Sequence, residues 1–83
     1  MVTQETLSRA ARAKEIYDAR LKDRLEATDR DRFVAIEPES GDYFLEDTLD
    51  AAVDAATRKH PDRITHVIRI GHPAAIYIGG MRS

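Results

Sequence analysis

The sequence predicts an α+β fold: a long N-terminal helix, then β-β-α-β-β, with a four-stranded, mainly antiparallel sheet and helices packed on it. Three observations predict this class. Residues 1–28 contain no Gly or Pro and are rich in helix-forming side chains. Residues 33–80 hold two pairs of short apolar runs bounded by turn residues, and an amphipathic helical pattern separates the pairs. With 83 residues, we expect one domain, 1–83, with a thin core.

The N-terminal helix is expected over about residues 3–27, with Thr3 capping its start. Its apolar residues recur at three- and four-residue steps and form a narrow stripe. Such a stripe buries little on its own, so we expect this helix to depend on docking, against the sheet or a second copy. The stripe comprises Leu7, Ala10, Ala11, Tyr17, Leu21 and Leu25; Lys14 interrupts it and Ile16 widens it.

A hairpin is predicted after the charged connector 29–32. Residues 33–36 and 43–45 are β-prone runs, and residues 38–42 between them are dense in turn formers, with Gly41 able to adopt positive φ. Glu37, Glu39 and Asp42 bring several carboxylates to this hairpin tip. Because they do not match the EF-hand pattern, we interpret them as a solvated loop and not as a calcium site.

A second helix and a second hairpin follow. Asp47 lies just ahead of an apolar helical face, Asp50 takes the place of a capping-box acid, and His60-Pro61 ends the helix. Residues 64–70 alternate regularly and predict the strongest strand. We expect a turn at 71–73 and a last strand at 74–78.

The alternation also predicts two apolar sheet faces. One face is expected to pack on Leu49, Val53 and Ala56 of the second helix. Its residues are Val34, Ile36, Ile68, Ile70, Ile76 and Ile78. The other face is too apolar to be left in water, so the first helix or a partner should cover it. Its residues are Phe33, Ala35, Tyr43, Val67, Ala75 and Tyr77, and the interface hypothesis comprises Leu7, Tyr17, Leu21, Phe33, Tyr43 and Tyr77.

The charges are segregated along the chain. Residues 33–57 carry seven acidic groups and no Lys or Arg, whereas residues 58–83 carry five basic groups and only Asp62 as an acid. This pattern argues against one large cationic surface for nucleic acid. A modest basic end still leaves nucleic-acid binding as the alternative function, through Arg58, Lys59, Arg63, Arg69 and Arg82.

Several functional classes are disfavoured by composition. The chain has no cysteine, which excludes disulfides and thiolate metal sites, and small cores without such staples often oligomerise. No apolar segment approaches the roughly 20 residues that a membrane helix needs, and residues 1–7 are too polar for a signal peptide. We therefore expect a cytoplasmic protein that contacts no membrane.

His60, His66 and His72 recur at six-residue intervals, but they belong to a helix end, a strand and a turn, so we expect no metal site. His66 shares its strand face with Ile64 and Ile68, where a histidine is more often a core residue with one satisfied hydrogen bond.

No serine lies in a nucleophile elbow, and Gly79-Gly80 opens no helix that would bind phosphate. We expect no catalytic residues, no cofactor and no enzymatic activity.

The motifs Phe33-Val34-Ala35-Ile36, Ser40-Gly41-Asp42-Tyr43, His60-Pro61 and Arg69-Ile70-Gly71 resemble a family of small uncharacterised bacterial proteins. That resemblance implies that this protein is encoded near toxin–antitoxin or protease-like genes. A weaker resemblance is to Hic-type antitoxins, on Phe33-Val34-Ala35, Gly41 and Asp47-Thr48-Leu49, although Glu37-Pro38-Glu39 replaces their usual Pro-Asp element. The resulting hypothesis is a non-enzymatic protein-interaction module, antitoxin-like, that forms a homodimer or binds a protein partner.

Overall fold

A computed structural model describes the backbone of residues 4–80 and the side chains of residues 9–72. Within that part of the chain the fold is α+β, as the sequence predicts, with helices packed on an antiparallel sheet. The elements in chain order are α1 (Gln4–Ile16), a π-helical turn (Tyr17–Leu21), α2 (Lys22–Thr28), β1 (Phe33–Ile36), β2 (Tyr43–Glu46), α3 (Leu49–Lys59), β3 (Ile64–Arg69) and β4 (His72–Gly80).

The strands hydrogen-bond in the order β2-β1-β3-β4, and every neighbouring pair is antiparallel. Ala35 in β1 lies opposite Phe44 in β2 and Val67 in β3, which fixes the register of the central pair. On the other side of β3 the register shifts between Ile68 and Arg69, so only residues 76–80 of β4 follow a regular pairing. The strand β4 is described by its backbone alone.

The N-terminal segment is not one regular helix, because a π-helical turn interrupts it at Tyr17–Leu21. Its buried residues include Ala13, Tyr17, Leu21 and Leu25, each four positions after the last. In an α-helix of 3.6 residues per turn, each four-residue step drifts by about 40°, so this row would rotate by about 120° away from the sheet. A wider turn absorbs that drift. The predicted cap, Thr3, lies outside the described residues.

Two local boundaries also differ from the sequence-based expectation. The turn between β3 and β4 is at residues 70–71, so β4 begins at His72, and Gly71 supplies the required positive φ of 90°. The N-cap of α3 is Thr48, whose hydroxyl accepts a hydrogen bond from the Ala51 amide at 3.1 Å. Asp47, the residue before this cap, forms an ion pair with Arg32 at 2.7 Å.

The prediction of which helix covers which sheet face is wrong. The face that carries Ile36 and Ile68 packs on α1, the π-helical turn and α2, not on α3. The helix α3 instead brings Ala52 and Ala56 against Ala35 and Val67 on the opposite face. The contact of α3 with the sheet is built from small side chains, whereas the contact of the N-terminal helices includes the larger isoleucines. Val34, Ile70 and Leu45 complete the first cluster, and Phe33, Phe44, Leu49 and Val53 pack around the second.

This arrangement leaves no apolar sheet face among the described residues that a partner would have to cover. Each face of the sheet is covered by a helix of the same chain, so the described core needs no partner to exclude water from Ala35 or Val67. The face assigned to Tyr43 is also wrong. Tyr43 lies opposite Ile36 and its hydroxyl contacts Arg24 of α2, which puts it on the α1–α2 side.

Candidate functional site

The residues of the predicted interface do not form one exposed surface. Tyr17 and Leu21, at the two ends of the π-helical turn, are buried in the core against the sheet, so they are not available to a partner in this conformation. Phe33 is half-buried beside α3, with the Arg69 guanidinium 5.7 Å from its ring centre. The side chains of Leu7 and Tyr77 lie outside those described.

Tyr43 is the remaining member of that set, and 41% of its surface is exposed. Its hydroxyl is 2.6 Å from an Arg24 guanidinium nitrogen, and the same guanidinium lies 5.8 Å from the ring centre. One exposed aromatic side chain with an arginine over it is a common surface feature and is too small for a stable interface.

The basic residues of the alternative hypothesis are dispersed and largely paired. Arg58 forms an ion pair with Asp54 at 2.7 Å, and Arg63 lies 3.3 Å from the carboxylates of both Glu37 and Glu39. Arg69 contacts the Asp31 carbonyl at 3.4 Å and Phe33. Lys59 follows Arg58 at the end of α3, and Arg82 lies outside the described residues. The described members therefore do not form a continuous cationic surface.

The β1–β2 turn contains a buried carboxylate that the sequence analysis interpreted as solvated. Glu37 is 1% exposed, and its carboxylate accepts hydrogen bonds from the Glu39 amide at 2.9 Å and the Ser40 amide at 2.8 Å. Burial acts to raise the pKa of Glu37, but these donors and the charge of Arg63 outweigh it, so the pKa lies below its usual range. Glu37 thus holds the turn together, and the expectation that it is solvated is wrong.

A second carboxylate of this turn binds α3. Asp42 lies 2.8 Å from the His60 imidazole, which also meets the Phe44 ring edge to face at 6.2 Å. The hydrogen bond from His60 lowers the pKa of Asp42. These contacts fasten the hairpin tip to the C-terminal end of α3, and His60 is occupied by that structural role.

At the opposite end of the sheet, His72 lies 2.7 Å from Asp31, which has an unusual positive φ of 72°. The hydrogen bond from His72 lowers the pKa of Asp31. Beneath this corner the Tyr17 hydroxyl donates to Glu26 at 2.8 Å and accepts from the Gly71 amide at 3.4 Å. Burial, together with the Glu26 hydrogen bond, raises the pKa of Tyr17 to about 12.

His66 is fully buried, and neither of its ring nitrogens has a hydrogen-bond partner. The prediction that His66 lies in the core is confirmed, whereas the expected hydrogen bond is not formed. His66 lies in β3 between Ile36 of β1 and the backbone of Ile78 in β4. Burial lowers the pKa of His66, and the charge of Arg9 in α1 lowers it further.

The two edges of the sheet differ. The edge strand β2 has four residues, includes Glu46, and is flanked by Asp42 and Asp47. The edge strand β4 has nine residues, and its sequence from 73 to 80 contains no charged side chain. Within residues 4–80 no strand pairs with the outer side of β4. This open edge could not be identified from the sequence, because strand order depends on which runs pair.

The described part of the chain contains neither a cluster of metal-binding side chains nor a membrane-spanning helix. Among residues whose side chains are described, no group of three His, Asp or Glu side chains converges as a metal site. Over the same part of the chain, no helix combines the length and apolar character needed to cross a bilayer. Comparison with known proteins adds no relative: no protein-family description, curated protein or solved structure matches this chain.

Proposed function

We propose that this chain is a non-enzymatic protein-interaction module, antitoxin-like in kind, that associates with a second copy of itself through the outer edge of β4. The single observation that carries the proposal is the edge strand β4, which has no charged residue after His72 and whose one proline, Pro73, lies at its start. An edge strand presents unpaired backbone amides and carbonyls, and proteins usually protect such edges with charged residues, proline or a short strand. The β2 edge has that protection, whereas residues 74–80 have neither charge nor proline.

A second copy is the occupant that this edge fits best. Two β4 strands related by a two-fold axis pair antiparallel, so the same residues serve on both sides of the interface. Each dimer then has one continuous sheet, in which backbone hydrogen bonds supply the affinity. The apolar faces are not needed for this contact, since α1–α2 and α3 already cover them.

The test is sedimentation equilibrium over a concentration series, with the wild type expected as a dimer. Two proline variants, Tyr77→Pro and Ile78→Pro, examine the β4 edge. Successive amides of an antiparallel strand point alternately to the two sides, so one proline removes a hydrogen bond to β3 and the other removes only an outward donor. The variant that retains the wild-type circular dichroism spectrum and a cooperative unfolding transition is expected to be monomeric.

Tyr43→Pro is the matched control, because it places proline at the first residue of the opposite edge strand. It should leave the dimer intact. A wild type that stays monomeric throughout the series contradicts the proposal. A dimer that survives in a folded outward-proline variant means that another surface is used.

The antitoxin-like part of the proposal is supported by the order of elements in that resemblance: a strand, a glycine turn and a helix. Here these are β1, Gly41 with a φ of 80°, and α3 capped by Thr48. Co-expression with the product of the neighbouring gene tests it, and growth rescue that depends on complex formation is the expected result. Heparin binding that disappears only at high salt, without rescue, would favour the nucleic-acid alternative instead.

A further inference from the structure

His66 is the described group whose burial has no compensation. It lies in a central strand at 0% exposure, and both ring nitrogens are without partners. A neutral imidazole in such a place already lacks the two hydrogen bonds it would make in water. A protonated imidazole is far costlier there, because a charge in an apolar interior needs a counter-charge.

Among residues 9–72, whose side chains are described, no acidic group is paired with His66. Its cross-strand neighbours are Ile36 of β1 and, by backbone register, Ile78 of β4. Ile68 lies two residues along the same strand and is buried in the cluster under the N-terminal helices. The charged group that acts on the ring from α1 is Arg9, whose positive charge opposes protonation.

The element that can move away from His66 is α1. The strand β3 is held on both sides by backbone hydrogen bonds to β1 and β4, whereas α1 lies over the sheet through side-chain packing and an Arg12 hydrogen bond to the Pro38 carbonyl at 2.9 Å. Lifting the part of α1 that carries Arg9 and Arg12 would admit water to His66 and carry Arg9 away. We propose that protonation of His66 releases the N-terminal part of α1 from the sheet, so that this helix is an acid-sensitive cover.

The direction follows from linkage. A histidine whose pKa is lower in the closed form than in the open form binds more protons when open, so opening becomes easier as pH falls below the ordinary value of about 6.5. The opening constant should therefore be higher at pH 5.5 than at pH 7.5, and one histidine with an open-form pKa near 6.5 can raise it by at most about tenfold. The pKa values of Glu37, Asp31 and Asp42 are lowered, so these carboxylates stay ionised across this window.

Hydrogen exchange of the full chain tests the proposal, with rates corrected for the intrinsic effect of pH. Amides in residues 4–16 should lose protection, by at most about tenfold, between pH 7.5 and 5.5, while amides of α3 in the same molecule stay protected. The variant His66→Phe has a ring that is never charged, and it should abolish the difference. His72→Gln is the control, since His72 is 55% exposed at the far corner, and it should keep the wild-type response.

Equal protection of residues 4–16 at both pH values in the wild type would overturn the proposal. An unchanged acid response in His66→Phe would overturn it as well. If that variant does not fold, the wild-type imidazole can be followed by proton NMR. A His66 resonance that titrates without any change in the α1 amide signals would then contradict the release of α1.

Discussion

Replacing Glu37 by glutamine should destabilise the chain far more than its position in a surface turn suggests. The Glu37 carboxylate is 1% exposed and accepts from two turn amides, those of Glu39 and Ser40. In Glu37→Gln one amide oxygen can still accept one of these bonds, but the new NH2 group faces the other donor. The loss is therefore about one hydrogen bond to a charged group, or roughly 1.5–3 kcal/mol in the free energy of unfolding.

The contact with Arg63 adds little to that figure. Its nitrogen is 3.3 Å from the Glu37 carboxylate, but the arginine is substantially exposed and the pair is screened by solvent. Glu39→Gln serves as the control, because Glu39 has the same 3.3 Å contact with Arg63 and is half exposed. We expect the control to lie within about 0.5 kcal/mol of the wild type.

Urea unfolding followed by circular dichroism measures both variants across a range of pH. Because the pKa of Glu37 is lower in the folded chain, its stabilisation is complete above the unfolded-state value of about 4.3 and is lost as pH falls through the folded-state value. The gap between the wild type and Glu37→Gln should therefore be constant near neutrality and narrow in acid. A gap under 0.5 kcal/mol at pH 7, or one that does not narrow in acid, refutes this reasoning.

Three further substitutions test other parts of the fold. Tyr17→Phe removes the hydroxyl bonded to Glu26 and should cost about 1–2 kcal/mol in urea unfolding. Because the pKa of Tyr17 is raised to about 12, the stabilisation that its hydroxyl provides is full below pH 10 and is lost as pH rises towards 12. An ultraviolet titration of Tyr17→Phe should therefore lack the tyrosine ionisation that occurs at the highest pH in the wild type. Gly71→Ala should lower the free energy of unfolding by about 1–2 kcal/mol, because Gly71 has a positive φ. The loss should be larger than for Gly41→Ala, which also has a positive φ, because the added Cβ at Gly71 lies only 3.1 Å from Arg30 Cγ. Thr48→Ala should lower the melting temperature through a loss of about 1 kcal/mol at the α3 cap.

The elements themselves could be predicted because each has a strong local signal. Alternation identified β1 and β3, and His60-Pro61 marked the end of α3, which the structure places at Lys59. Alternation also specifies which residues share a sheet face. It does not specify which helix covers that face, and the assignment was reversed because both helical segments present narrow stripes of small and medium side chains. The two arrangements are distinguished by tertiary packing, such as that of Ala52 and Ala56 in one cluster with Ala35 and Val67.

The polar features were harder to predict, since they depend on contacts distant in sequence. The carboxylate of Glu37 resembles its neighbours in the sequence, and its burial follows from the way the turn folds back over it. The β4 edge required strand order. The π-helical turn had one usable signal, the four-residue spacing of Ala13, Tyr17, Leu21 and Leu25, which a regular α-helix cannot keep on one side.

That turn makes the N-terminal helix tolerant of a shortened chain at one point. Ala19 lies at its exposed outer side. If Ala19 were deleted, the segment could close as regular α-helix, and Ala13 and Leu25 would then be eleven positions apart and only about 20° out of line. Leu25 would still reach the sheet. In a helix that packs on a core, the loss of one residue ordinarily destabilises the fold because every later side chain is rotated away from its contacts. Here the π-helical turn already contains one extra residue, so removing that residue restores regular α-helical geometry.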